Sequence, residues 1–265
     1  MFELFGNAFD LRRPRLKNYL LHGLHRLRLL RFVEETREVE GGLRVRLRPG
    51  THDETILREV LEERIYPVDD LELEDGDRVV DVGAQIGTFS LLAASRGARV
   101  VAVEPSPMNL ELLRHNVALN GFEERVGVVE AAVWRPGEPK RTLFHSYTNL
   151  GGHSLLGWVG PAREVACLSL AELFERAGVE RCRVLKVDAE GAECPILYSA
   201  GRSLLARVER VYAEVIDHPG LEALRRPEEP PWDHDGLMEF LAGAGFAVDY
   251  DARNKIVVGR REGGG

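Results

Sequence analysis

The 265-residue chain has only three cysteines, Cys167, Cys182 and Cys194, too few and too widely spaced for a disulfide framework or a zinc cluster. They are expected to be small buried thiols in a reducing compartment. No apolar run approaches the roughly 20 residues that span a bilayer, and the N-terminus lacks the apolar core and cleavage site of a secretory leader. A cytoplasmic location is the expectation. Acids outnumber bases, 43 Asp and Glu against 35 Lys and Arg, and the net charge of −8 argues against general attraction to nucleic acid, although it leaves room for a local basic patch. The G-x-G-x-x-G fingerprint, which brings a pyrophosphate onto a helix N-terminus, is missing after the first long strand, and this counts against a dinucleotide enzyme.

What remains is an α/β pattern with additions. Arginines and Lys17 interleave with Leu16, Leu20, Leu24 and Leu27 over residues 11–31, giving an amphipathic helix with a basic face. It can pack on the domain or on a second subunit, which allows a homo-oligomer, or it can touch a membrane surface or a polyanion. EVEGGLRVRLR at 38–48 alternates like a β-ribbon, and residues 53–65 have helical periodicity. Residues 1–70 therefore read as an N-terminal extension and 71–265 as the main domain. In that domain RVVDVG, RVVAVE, RVGVVEAAV, CRVLKVDAE and RVERVYAEVI are five apolar runs suited to parallel strands, with helical segments between most of them. FAVDYD and NKIVVGRR add an antiparallel terminal pair. The prediction is a doubly wound, mostly parallel seven-stranded sheet. A hairpin with a flexible glycine-rich tip is expected at about 140–167, and a lid-like loop in the proline-rich stretch 217–235.

Such sheets bind ligands beyond the carboxyl ends of their strands, where the strand order reverses. Gly83, Ala84, Gln85 and Gly87 follow the first strand, with one glycine permitting a tight turn and the next a close approach of ligand. Glu104 ends the second strand, where a carboxylate can accept both hydroxyls of a ribose. Pro105 and Asn109 follow it. Asp81, just inside the turn, suits a ligand with a positive charge rather than a phosphate. Glu130 and Ala131, at the end of the third strand, are candidates on the adenine side. This combination favours S-adenosyl-L-methionine over a dinucleotide.

These residues resemble the FkbM family of S-adenosylmethionine-dependent methyltransferases from about Thr51 to Val215. Two parts carry the resemblance: DVGAQIGTFSLLAA with VAVEPSPMNLELLRHNVALN, and LKVDAEGAE at 185–193, followed by the strand ending in Glu214. K-x-D-x-E-G-x-E is the family's characteristic segment, and Gln85 stands where Asn is more common. The resemblance implies a class I methyltransferase fold and methyl transfer commonly to a hydroxyl oxygen. Asp188 at the end of the fourth strand then faces the cofactor turn and is the first choice to orient or deprotonate the acceptor, with Glu190 beside it. The same carboxylates could hold a divalent cation, so a metal stays open without assigned ligands. Glu193 suits a helix cap as well as catalysis, and Lys186 could pair with an acid. His218 is the best-placed histidine base, with His145 and His153 as alternatives, and Tyr66 is either a packed aromatic or a cover over the cofactor. A small-molecule or glycan acceptor is expected. The alternatives are an RNA or lipid-linked acceptor recruited by the basic helix, and a binding module without turnover.

Overall fold

The computed structural model describes residues 20, 21, 23, 24, 32–68, 72–146, 149–156, 161–216 and 224–261. Most of the basic segment 11–31, residues 217–223 of the proline-rich stretch and His218 thus lie outside the described residues. The ribbon read at 38–48 forms an antiparallel hairpin, β1 (Glu35–Glu38) with β2 (Arg44–Leu47). Helix α1 (His52–Leu61) follows, capped by the Thr51 side chain, which accepts from the Asp53 amide.

The main sheet is built from β3 (Arg78–Val82), β4 (Arg99–Val103), β5 (Val126–Val129), β9 (Cys182–Val187), β10 (Val208–Glu214), β11 (Ala247–Asp251) and β12 (Ile256–Arg260). Its order is β11-β12-β10-β9-β3-β4-β5, with β10, β9, β3, β4 and β5 parallel and the pairings through β12 antiparallel. This is the predicted seven-stranded class I architecture. The strand order reverses between β3 and β9.

Helices α2 (Thr88–Ser95) and α3 (Pro107–Leu119) share one face of the sheet with α1. Helices α4 (Leu170–Arg176), α5 (Glu193–Leu205) and α6 (His234–Gly243) cover the other. Alternation along each strand supplies both layers: Val79, Val100 and Val184 enter the first core, and Val80, Val101 and Leu185 the second. The N-terminal hairpin is fastened to the first layer by two asparagines of and just beyond α3. Asn116 accepts from the Arg46 amide at 2.7 Å and donates to its carbonyl at 3.0 Å, and Asn120 does the same for Arg44 at 2.9 and 2.7 Å. Side-chain amides thus satisfy the free edge of β2 as a further strand would.

The segment RVGVVEAAV is not one strand. Ala131 donates to the Val129 carbonyl at 3.1 Å in a tight turn that ends the ladder after β5. The chain then enters a second sheet as β6 (Ala132–Val133), beside β8 (Ala162–Leu168), which pairs antiparallel with β7 (Lys140–Phe144). The break lets Trp134 bury its ring against Trp232. The described part of the hairpin tip is packed rather than loose: Leu155 and Leu156 are buried, and Ser154 Oγ donates to the Glu190 carbonyl at 2.8 Å. In the proline-rich stretch, residues 224–235 lie against β6 and α5. Arg135 pairs with Glu229 at 2.7 Å between two tryptophan rings, and Tyr198 donates to the Pro231 carbonyl at 2.7 Å.

Candidate active site

A cavity of about 410 Å³ opens at the carboxyl ends of the parallel strands, within the range of small-molecule sites. Its floor follows from strand register. Asp81 of β3 and Lys186 of β9 are cross-strand neighbours, and Tyr212 of β10 stands next to Lys186 on the same face. Two residues further along each strand, period-two geometry returns to that face at Gly83, Asp188 and Glu214. All three line the cavity. Gly83 has φ 79°, and a Cβ there would lie 1.7 Å from the Asp188 carbonyl oxygen, so only glycine lets β3 and β9 meet at this point.

The amides of Gln85, Ile86 and Gly87, in the turn after β3, are engaged within the protein. The Gln85 amide donates to Glu104 Oε2 at 3.0 Å, that of Ile86 to Gln85 Oε1 at 2.8 Å, and that of Gly87 to the Ala84 carbonyl at 2.8 Å. The missing fingerprint therefore has a structural counterpart in the turn itself, whose amides at residues 85–87 are engaged within the protein. Glu104 Oε1 accepts from the Ser106 amide at 2.7 Å. Burial pushes this carboxyl up to about 7, against the lowering effect of the Ser106 and Gln85 amides and the Asn109 side chain. Glu104 retains lone pairs beside the cavity, as hydroxyl recognition requires.

Of the residues expected around a cofactor, Gly83, Ala84, Gln85, Glu104, Pro105 and Ala131 line the cavity. Four others do not. Asp81 is fully buried and already neutralised, accepting from Lys186 Nζ at 3.1 Å and Ser90 Oγ at 2.6 Å, so it has no charge to offer a cationic ligand. Gly87 begins α2 with φ 95°, and a Cβ there would meet Leu113 Cδ1 at 2.5 Å, which makes it a helix-packing glycine. Asn109 is buried between Arg48 and the Leu150 carbonyl. Glu130 is turned outward and pairs with Arg114 at 3.1 Å, both side chains 54% exposed.

The acids cluster at the β9–β10 end. Tyr66, buried under Phe89 and Tyr212, lies with its hydroxyl 3.3 Å from Asp188 Oδ2 and 3.4 Å from Glu214 Oε2. Lys186 Nζ is 3.4 Å from Asp188 Oδ2. Burial would lower the Lys186 pKa, but Asp81 and Asp188 together outweigh it and hold the ammonium charged. Glu190 is pushed up to about 8 by burial and then by Asp188 and Glu193, and Glu214 to about 8 by burial and then by Asp188 and Glu190. Glu193, at the first position of α5, does not cap the helix but ties the loop before it: its Oε1 accepts from the amides of Ala189 at 2.7 Å and Gly191 at 3.2 Å. Glu214 is the acid that sequence reasoning left out of the site, although it ends the fifth strand just as Asp188 ends the fourth.

His153, from the hairpin tip, also lines the cavity. Burial, with His145 and Arg48, drives its pKa down to about 3, so the ring is neutral, and its Nδ1 accepts from the Ser146 amide at 3.0 Å. Its Nε2 and the Thr88 hydroxyl, both belonging to residues of the cavity wall, have no hydrogen-bond partner among the described residues. Unpartnered buried polar atoms are expected where a ligand completes a site. Among the described residues no group of three or more His, Cys, Asp or Glu is arranged to hold a metal ion, and no helix is long and apolar enough to cross a membrane.

Comparison with known proteins adds the family. The chain is 27% identical over 220 residues to the 31-O-demethyl-FK506 methyltransferase FkbM of Streptomyces tacrolimicus, covering 71% of this chain and 84% of that protein. It is 27% identical over 233 residues to the AMB antimetabolite synthetase AmbE of Pseudomonas aeruginosa, covering 74% of this chain but 11% of that protein. The solved structure of methyltransferase FkbM from Methylobacillus flagellatus KT is similar with a TM-score of 0.46 at 15% identity, over 74% of this chain and 46% of that one. The family model described as Methyltransferase FkbM domain matches residues 81–248, from the buried Asp81 of β3 through the acids of β9 and β10 into β11. That match takes in more than half of the chain, so the protein belongs to the FkbM family of methyltransferases.

Proposed function

We propose that the protein is an S-adenosyl-L-methionine-dependent methyltransferase that acts on a hydroxyl oxygen of a small molecule or glycan. The observation that carries this reading is a single cavity joining the turn after β3 and Glu104 at one end to Asp188, Glu190 and Glu214 at the other. Glu104 would receive the ribose hydroxyls, and Pro105, Ala131 and Val133 would pack on the purine. Glu214, which lines the cavity beyond Asp188, suits the cationic end of the cofactor, whereas Asp81 is already paired with Lys186. When bound, the cofactor supplies an electrophilic methyl group.

The chain's own part is to orient the acceptor and take its proton. Asp188, held by Lys186 and Tyr66, is fixed in direction and is the first choice to accept the acceptor's hydroxyl hydrogen bond. Glu190, with a pKa of about 8, is matched to moving a proton near neutral pH. The neighbouring Lys186 stays charged and limits the build-up of negative charge as protons leave. The similar Streptomyces tacrolimicus protein is named for 31-O-demethyl-FK506, which supports an oxygen acceptor.

Calorimetry with S-adenosylmethionine and S-adenosylhomocysteine tests the cofactor, and no binding of either at millimolar concentration would reject the proposal. A panel of hydroxylated acceptors assayed by methyl transfer, with Asp188→Asn as control, tests the rest. Equal turnover by both proteins would remove Asp188 from its role.

A further inference from the structure

The N-terminal unit contains a buried charge pair that the proposed chemistry does not use. Arg48 and Asp53 are 2% and 0% exposed. Arg48 Nε donates to Asp53 Oδ2 at 2.6 Å, Nη2 donates to Oδ1 at 2.9 Å, and the Arg48 amide donates to Oδ2 at 3.0 Å. Asp53 Oδ1 takes one further donor, Gln85 Nε2 at 2.5 Å. The pair therefore ends on the cofactor turn.

Gln85 is the residue of that turn whose conformation is hardest to hold. Its φ of 52° lies in the left-handed region, which a residue with a Cβ occupies only when its surroundings impose it. Three bonds impose it here: its amide is held by Glu104, its Oε1 by the Ile86 amide and its Nε2 by Asp53. The first two lie within or beside the turn. The third alone comes from the N-terminal unit. Arg48 reaches Glu104 by a second route as well, because its Nη2 donates to Asn109 Oδ1 at 2.9 Å and the Asn109 side chain also acts on the Glu104 carboxyl.

We infer that Arg48 and Asp53 are positioning residues of the nucleoside site: they lock Gln85 in its left-handed conformation and so aim Glu104 into the cavity. This rests on reading the turn as the cofactor site. Apolar side chains of similar volume would fill the same space at no cost in charge desolvation. A directed hydrogen bond onto a strained turn is something they could not provide.

The test is the affinity for S-adenosylhomocysteine, measured by calorimetry on variants whose fold is checked by circular dichroism and thermal melting. Failure of the wild-type protein to bind would reject the cofactor reading itself, before the variants are considered. Given binding, Asp53→Asn should weaken it by about tenfold, the scale of one lost charge-assisted hydrogen bond, and Gln85→Met, which also gives up the bond from the Ile86 amide, by at least as much. The double variant should be no weaker than the weaker single, since both cut one chain of contacts. Additive losses, or a folded Gln85→Met that binds within about twofold of wild type, would overturn the inference.

Asp53→Asn leaves Arg48 buried without its counter-ion, so a second comparison covers the case in which it does not fold. Gln85→Asn alone shortens the reach to Asp53, and Asp53→Glu with Gln85→Asn returns the missing methylene from the other side. Recovery of at least part of the affinity in the double variant supports positioning through Asp53. No recovery in a folded double variant overturns it.

Discussion

Glu190, Glu193 and Glu214 are pushed up to about 8 and Glu104 to about 7, in each case chiefly by burial. Unfolded, such carboxyls ionise near 4.5, so between about pH 4.5 and 8 the native state holds more protons than the unfolded chain. The stability tied to these groups is complete below the unfolded value and is lost as pH rises through the folded one. The melting temperature should therefore fall between about pH 5 and pH 8, and Glu190→Gln, which needs no proton, should flatten part of that fall. A melting temperature that rises over this window would contradict the burial of these acids. Asp188→Asn should act elsewhere, lowering kcat for methyl transfer by roughly 10²-fold or more while leaving the affinity for S-adenosylhomocysteine within a few-fold. Steady-state kinetics set beside calorimetry would separate the two effects. The placement of Glu104 and Asp188 on the cavity wall was legible because a parallel sheet presents its carboxyl ends to ligand, and the same argument would have reached Glu214. The fate of Asp81 was not, because its partner Lys186 is 105 residues away and is brought beside it only by the register of β3 and β9. Glu130 misled for a related reason: the ladder ends at Val129, and the turn that follows faces its side chain outward.

Elements were legible wherever periodicity was long. The parallel strands, the terminal antiparallel pair, the hairpin near residues 140–167 and the N-terminal ribbon are all present, since unbroken or alternating apolar runs leave few other ways to bury the chain. Junctions were harder. A turn between Val129 and Ala131 depends on one backbone hydrogen bond, and the docking of the hairpin tip depends on Ser154 meeting the Glu190 carbonyl, neither of which leaves a periodic trace. The loop before α5 shows how much such a junction contributes. One buried carboxyl oxygen of Glu193 receives both the Ala189 and Gly191 amides, while Glu190 sits between them at φ 54°. Glu193→Ala should leave the buried Gly191 amide and the half-buried Ala189 amide without an acceptor and cost on the order of 2 kcal/mol in urea unfolding. Glu193→Gln keeps an acceptor oxygen and should recover most of it. Equal losses in both variants would mean that the carboxyl acts by charge and not as the acceptor for the loop.

On the scale of the whole molecule, the N-terminal unit is part of the structure that makes the site. Val45 and Leu47 of β2 and Leu57 and Val60 of α1 are buried in the core on the α2–α3 face, and Thr55, Ile56 and Glu59 of α1 line the cavity. Four aliphatic side chains of this kind stabilise a fold by roughly 6 to 12 kcal/mol at about 1.5 to 3 kcal/mol each. That is comparable with the entire stability of an ordinary domain, about 5 to 15 kcal/mol. Removing residues 1–61 should therefore abolish cooperative unfolding and expose the apolar face of the sheet, visible as dye binding and loss of near-ultraviolet dichroism. Removing residues 1–31 is a different experiment. It spares β1, β2, α1 and the Arg48–Asp53 pair, and takes away the basic segment whose role the sequence left divided between packing, oligomer contact and recruitment. The shorter protein should melt cooperatively, bind S-adenosylhomocysteine as the full chain does and turn over a soluble acceptor at an unchanged rate. If turnover on a soluble acceptor fell while cofactor binding held, the basic segment would belong to the acceptor side of the site, and the cavity would have to be redrawn to include it.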